Sequence, residues 1–306
     1  MEKRQLGNSD LYVSAMGLGC MSLGTDEKKA RSVIDAALDA GVNYFDTADL
    51  YDFGENEKIV GGTLKHVRDK VIIATKAGNR WNSNKDSWTW DPSKAHIKAA
   101  VKSSLKRLQT DYIDLYQLHG GTMEDPIAET IEAFEELKKE GLIRYYGISS
   151  IRPNVIREYA EKSGIASVMM QYSMLDRRPE EEAIPLLAQK GISIVTRGSV
   201  AKGLLSDKAL DKASDSIQKN GFLDYSYKEL EELLPGLKEK LGQRQLGQAA
   251  LQYNLAQSSV VSVVTGASSA GQVRENAHAV SSPPLSKEEV ELIRRLTKAN
   301  LYQEHR

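Results

Sequence analysis

The 306-residue chain has one cysteine, Cys20. A single thiol excludes an internal disulfide and any metal cluster built from several thiolates, and no recognisable metal-ligand spacing stands in for one. Long apolar runs are also missing. None approaches the ~18 residues of a membrane span, and the opening "MEKRQLGNSD" lacks the apolar core of a signal peptide. Nor is there an excess of one charge: 41 Lys and Arg face 42 Asp and Glu, for a formal −1, with no long single-sign stretch. Nucleic acid and anionic membrane surfaces select for such stretches, so neither is an expected partner. A soluble cytoplasmic protein is expected. No low-complexity segment or linker divides the chain, which predicts one domain over 1–306.

What is present is alternation. Apolar, β-rich runs recur as "SAMGLG", "VNYFD", "VIIAT", "YIDLYQL", "IRYYGIS", "SVMMQ", "ISIVT" and "VVSVV". Segments of helical period lie between them. Over 28–41, Ala30, Val33, Ile34, Ala37 and Leu38 share one face and Gly41 follows as a stop. Over 93–108, Ile97, Val101 and Leu105 repeat behind a Ser93 cap. Asp125-Pro126 predicts a cap and a first-turn proline before Ile127, Ile131 and Phe134. Further helices are expected at 153–163, 179–189, 226–241 and 245–257, with Pro235-Gly236 weakening the case for the third of these. Ser286 and Glu289 predict a capping box on an added helix near the end.

Eight strands alternating with helices argue for an α/β fold with a covered parallel sheet, and eight is the number that closes as a (β/α)8 TIM barrel. The alternative is an open doubly wound sheet. Its usual G-x-G-x-x-G turn is missing: "GLGCMSLG" after the first strand has Ser22 in the third glycine position. "RQLGNSDLYVSA" reads as an N-terminal hairpin able to close the bottom of a barrel.

Active sites of such barrels lie at the C-terminal strand ends. Those ends read Gly19-Cys20, Asp46, Lys76, His119, Ser149-Ser150, Gln171, Arg197 and Thr265-Gly266. Asp46 and Tyr51, in "DTADLY", would on their own be a helix cap and its packing partner. Four chargeable groups at strand termini favour chemistry instead. A phenol near pKa ~10 needs help to exchange a proton at neutral pH. A lysine ammonium ~4 Å away would favour the phenolate by up to ~4 kcal/mol, about three pK units. Lys76 is placed to supply it. Asp46, on the adjacent strand, is the counter-charge without which burial would neutralise the lysine. His119 can hold or polarise a substrate oxygen. The set describes a proton relay aimed at a carbonyl.

At this point the chain resembles the aldo-keto reductase family over nearly its whole length. "FDTADLYDFGENEKIVGGTLK", "VIIATKAG", "SLKRLQTDYIDLYQLHG", "KKEGLIRYYGIS" and "KGLLSDK" are similar to that family's blocks in the same order. They resemble bacterial members close to the potassium-channel β-subunit-like, family 11 branch. The resemblance implies catalytic Asp46, Tyr51, Lys76 and His119, with Tyr51 as general acid in the reduction of aldehydes and some ketones. It implies NADPH extended across the barrel mouth. Gly19, Cys20, Met21 and Asp46 would border the cofactor, and Ser149, Ser150 and Gln171 would face its carboxamide. Arg197, Gly198, Ser199, Lys202, Gly203, Leu204, Ser206 and Lys208 would wrap the nicotinamide and pyrophosphate, with the amides of Gly203 and Leu204 as donors. Gly266, Ser268, Ser269, Gln272, Glu275 and Asn276 would hold the adenosine half, and the two serines with Gln272 its 2′-phosphate. The substrate would meet Met21, Tyr51, Trp81 and His119.

Three positions depart from the family pattern. Ser150 stands in place of an Asn, Met21 in place of a pocket Trp, and Arg197 in place of the aromatic ring that stacks on the nicotinamide. Trp81, Trp88 and Trp90 share a polar loop that reads as a pocket wall, or as a lid packed on the rim. Cys20 reads as a small, partly buried strand-end residue, and His66, His96, His278 and His305 as surface or packing residues. Two rival functions are a nicotinamide-binding regulatory subunit and a lyase or aldolase using Lys76 as a Schiff-base amine. A monomer acting on a small carbonyl compound is expected.

Overall fold

Alternation along short strands decides which side chains enter the barrel. Tyr44, Ile72, Ala74, Leu115, Met169, Val195 and Val264 form one buried cluster, the interior. Their neighbours Phe45, Ile73, Tyr116, Met170, Ile194 and Val263 belong to the layer beneath the helices, as a period of two requires. The structure is a computed structural model describing residues 1–206, 210 and 213–306. Its strands Met16–Gly19, Tyr44–Asp46, Ile72–Ala77, Ile113–Leu118, Ile143–Ser149, Ser167–Gln171, Ser193–Arg197 and Val260–Gly266 pair in parallel and close into an eight-stranded barrel. Glycine makes room inside it. A Cβ on Gly17 would lie 2.6 Å from Tyr44 Cδ1, so that ring fills the space a first-strand side chain would take.

The N-terminal hairpin pairs Lys3–Gln5 with Tyr12–Ser14. Its Leu6, Leu11 and Val13 join the interior cluster and seal the N-terminal end of the barrel. Only the opposite end is left open for a site. Outside, the helix Glu27–Asp39 buries Ala30, Val33, Ile34 and Ala37, and Asp26 caps it by accepting from the amides of Lys28 and Lys29. Burial of each Val or Ile contributes about 1.5–3 kcal/mol. Ser93 caps Lys94–Leu108, and the Ser286/Glu289 capping box opens Lys287–Leu296, both as the sequence predicts. Among the described residues no helix is long and apolar enough to cross a membrane.

The helix expected over 226–241 forms despite its proline, and two other local expectations change. Pro235 does not end its helix, which runs unbroken over Tyr227–Lys240. Pro235 and Glu231, whose carbonyl loses its partner, both lie on the exposed side, where water replaces the bond. Asp125 is not a cap. Pro126 takes the cap position of Ile127–Lys139, while the Asp125 carboxylate accepts from Thr122 N at 2.7 Å and Trp90 Nε1 at 2.8 Å. The helix expected over 179–189 splits into a 3-10 turn, Arg178–Glu180, and Ala183–Gln189. Glu180 is pulled out of register because its carboxylate accepts from Tyr172, Tyr253 and Arg177.

Candidate active site

The inward-facing columns end at the open mouth in Asp46, Lys76 and His119. Pairing continues past the second strand, where Thr47 N donates to Ala74 O and Asp49 N to Lys76 O. The chain then turns back, with Tyr51 N donating to Ala48 O at 3.2 Å. This folds the phenol over the end of the third strand. Lys76, 1% exposed, donates to Asp46 Oδ2 at 2.6 Å, Thr47 O at 2.8 Å and the Tyr51 hydroxyl at 3.5 Å. Its three N–H groups thus have three acceptors. Gln117 Nε2 donates to the other Asp46 oxygen at 3.4 Å. The His119 ring meets the Tyr51 ring edge-on, with centroids 5.9 Å apart.

Burial alone would drive Lys76 toward the neutral amine, but Asp46 and Tyr51 push the other way and the ammonium is held. Tyr51 overturns one expectation. Burial raises its pKa above the ordinary 10, Lys76 pulls downward, Asp46 pushes up again, and the upward effects win. Lys76 alone would favour the phenolate, but desolvation of the buried ring outweighs it. Tyr51 is therefore a protonated phenol that Lys76 keeps from becoming a still weaker acid. His119 is driven down to about 3 by burial and then by the cations Lys76 and Arg197, so its imidazole is neutral. His119 Nδ1 is buried without a hydrogen-bond partner among the described residues.

The rim carries the other expected residues, though not all face the mouth. Met21 is 64% exposed beside Gly19, whereas Cys20 is wholly buried and burial pushes its thiol far up. Cys20 is thus fully rather than partly buried, its thiol lying against the Asp46 backbone and its carbonyl accepting from Asn56. Arg197 Nη1 donates to Gln171 Oε1 at 3.2 Å, and Gln171 Nε2 donates to Asp176 Oδ2 at 2.8 Å. Arg178 grips the same carboxylate. The Arg197 charge is felt at Asp46, Tyr51 and His119, within electrostatic reach of the relay. Ser150 Oγ accepts from Arg152 N. Gly198 takes the left-handed φ of 68° that turns the chain after Arg197. Ser199 points inward to Asn254 and Thr196. The amides of Gly203 and Leu204, expected to face phosphate, donate instead to Val200 O and Ala201 O within their turn. Ser206 donates to Gly203 O, Lys202 is exposed, and Lys208 lies outside the described residues.

Beyond Gly266, Ser269 caps the helix Ala270–Val280. Gln272 Oε1 accepts from the amide and hydroxyl of Ser268 at 2.7 and 3.1 Å. Asn276 Nδ2 reaches Gly266 O, and Glu275 is exposed beside it. The tryptophan loop is a hairpin, Asn79–Trp81 with Trp88–Trp90. Trp90 packs on the rim glycines 78 and 120 as a lid would, while Trp81 lies against Phe53. A cavity of about 820 Å³ lies far from this cluster, between Arg4, Leu255, Val280 and Arg294. Chemistry, not volume, locates the site. Sequence reasoning missed Gln117 and Asp176. Gln117 was within reach, since it precedes His119 by two residues on the same inward face.

Residues 15–298 match the aldo/keto reductase family. The chain belongs to that family. It is an oxidoreductase of the aldo-keto reductase kind, a family that uses nicotinamide cofactors. It is 58% identical over its full length, and that of the relative, to an uncharacterized oxidoreductase, YqkF, of Bacillus subtilis. It is 32% identical to the NADH-specific methylglyoxal reductase of Escherichia coli, covering 98% of this chain and 99% of that one. The holo form of aldo-keto reductase AKR11C1 from Bacillus halodurans, also 58% identical, superposes with a TM-score of 0.94 over 100% of this chain and 99% of that one.

Proposed function

We propose that this aldo-keto reductase reduces aldehydes and some ketones to alcohols with NADPH, Tyr51 delivering the proton. The contact that carries this reading is the Lys76 ammonium shared between Asp46 and the Tyr51 hydroxyl. It pairs a protonated acid with a fixed cation able to stabilise the phenolate left behind.

The mouth fits a nicotinamide dinucleotide. Ser149 is half-buried with no side-chain partner among the described residues, and Gln171 keeps one amide N–H unused. Among the described residues a Cβ on Gly203 would meet nothing within 4 Å, which leaves room for a phosphate beside exposed Lys202. Ser268, Ser269 and Gln272 gather at a helix N-terminus, where an added phosphate is favoured. When bound, the cofactor supplies a hydride to the carbonyl carbon. The chain does the rest: neutral His119 orients the carbonyl oxygen, Tyr51 protonates it, and Lys76, balanced by Asp46, holds the phenolate until solvent restores the proton.

The test is a panel of aldehydes assayed with NADPH and NADH side by side, with both dissociation constants from fluorescence titration. Consumption of NADPH with tighter NADPH binding is expected. No consumption with any aldehyde would overturn the reductase reading, and equal dissociation constants would overturn the cofactor preference.

A further inference from the structure

Directly after Tyr51 the backbone turns left-handed three times in succession. Asp52 has φ 48° and ψ 34°, Phe53 φ 50° and ψ 46°, and Gly54 φ 87°. Two of the three are not glycine. Side-chain-bearing residues avoid this region because Cβ crowds the following carbonyl, and such strain persists only where the surroundings over-determine it.

Arg107, in the last turn of Lys94–Leu108, is what surrounds it. A Cβ on Gly54 would lie 2.7 Å from Arg107 Cδ and 2.9 Å from its Nε, so the turn rests on this side chain. Arg107 Nε donates to Glu57 Oε2 at 2.6 Å and Nη2 to Ser104 Oγ at 3.1 Å. Its guanidinium sits 5.4 Å from the Trp81 ring centre, and Trp81 meets Phe53 edge-on at 6.3 Å. Glu57 is fully buried, and its other oxygen accepts from Thr75 Oγ1 at 2.6 Å. Thr75 precedes Lys76 on the third strand. One side chain thus touches the turn that follows the phenol, the helix that begins beyond it and the hairpin above it. Through Glu57 it also reaches the strand that carries the lysine.

We propose that Arg107 is a positioning residue for the proton transfer: it clamps the strained Asp52–Gly54 turn and so fixes the Tyr51 hydroxyl beside Lys76. The inference rests on Tyr51 acting as the acid. If the clamp sets the 3.5 Å approach of Lys76 to the phenol, loosening it has two consequences. The acid drifts from its reaction position, and a misplacement of about 1 Å can cost on the order of 10²-fold in rate. The downward pull of Lys76 on Tyr51 also weakens, while burial and Asp46 still push upward. The other groups facing the phenol, Arg197 and neutral His119, belong to other strands and stay in place.

Arg107→Lys keeps the charge but loses the planar fork that spans Gly54, Glu57 and Trp81. The expected result is a kcat lowered by roughly tenfold or more, with KM little changed and a higher Tyr51 pKa. That pKa is read without substrate or cofactor, as the difference in phenolate absorbance between each protein and its Tyr51→Phe counterpart. Asp52→Gly, at an exposed side chain, relieves strain in the same turn. Added to Arg107→Lys, it is expected to recover part of the kcat and return the pKa toward wild type. If Arg107→Lys does not fold, Trp81→Leu opens the clamp from its outer side and is read in the same two ways. An Arg107→Lys protein with a lower Tm but unchanged kcat and Tyr51 pKa would make Arg107 merely structural, as would a double variant showing no recovery. A wild-type protein that consumes no NADPH sinks the reductase reading alone, since the phenolate titration still reports on the clamp.

Discussion

The Lys76 ammonium lies 3.5 Å from the Tyr51 hydroxyl, and the phenol nevertheless titrates above its ordinary value. Proximity to a cation and burial act in opposite directions on an acid, and here burial is the larger. An acid of this kind is fully protonated across the neutral range. Reduction, which consumes that proton, is then expected to be flat between about pH 6 and 9 and to fall only as pH rises through the phenol's raised value. Oxidation of an alcohol by the same site needs the phenolate and should rise with pH. Tyr51→Phe keeps the ring and removes the proton, so reduction should fall by roughly 10²–10⁴-fold while cofactor binding persists. Steady-state rates against pH, with a fluorescence titration of each protein, check both halves.

Lys76→Met should also abolish turnover, and it exposes the energetics of the pair. Asp46 is 4% exposed, and losing its partner leaves a buried carboxylate with Gln117 and the more distant charge of Arg197. Breaking a buried pair from one side costs about 3–5 kcal/mol, whereas removing both charges is often close to neutral. Lys76→Met with Asp46→Asn is therefore expected to regain about half or more of the lost stability and none of the activity. Urea midpoints for the two variants decide it, and equal midpoints would mean the pair is not the source of the loss.

His119 links stability to acid. Its folded pKa of about 3 lies below the unfolded value near 6.5. Above pH 6.5 both states hold a neutral ring and nothing is lost. Between 6.5 and 3 the unfolded chain binds a proton that the folded one refuses, which costs about 1.4 kcal/mol per pH unit. His119→Gln should therefore lose less stability than wild type between pH 7 and pH 4.5. Denaturant unfolding at those two values is the measurement, and identical losses would count against the buried neutral ring.

How much of this was legible in the chain follows from where each cause lies. The barrel and its rim of Asp46, Lys76 and His119 could be read because strand alternation is a local rule, and because the open end of a closed barrel collects its last inward residues. The Asp125 cap could not, since its carboxylate is claimed by Trp90, brought near only by the folded hairpin. Tyr51's strength as an acid sums burial over many neighbours that no short motif encodes. Ser199 shows the same limit from the other side. A loop serine read as a phosphate contact turned out to bond inward to Asn254 on a helix much later in the chain.

Arg197 carries the last prediction. Gln171, Asp176 and Arg178 form a chain of hydrogen bonds that braces its guanidinium at the mouth. A planar guanidinium there can lie over a nicotinamide much as an aromatic ring does, but its charge makes the two redox states unequal. The reduced ring is neutral and tolerates the cation, whereas the oxidised ring is positive. Two like charges ~4 Å apart repel by up to ~4 kcal/mol at an effective dielectric of ~20, and water at this exposed position screens much of that. The remainder should still weaken NADP⁺ relative to NADPH and speed its release, a step that often limits turnover where a ligand is enclosed. Arg197→Tyr is therefore expected to tighten NADP⁺ more than NADPH, and to lower kcat where release is limiting. Stopped-flow release of NADP⁺ from both proteins tests this directly. Equal release rates would show that the guanidinium does not act on the oxidised ring.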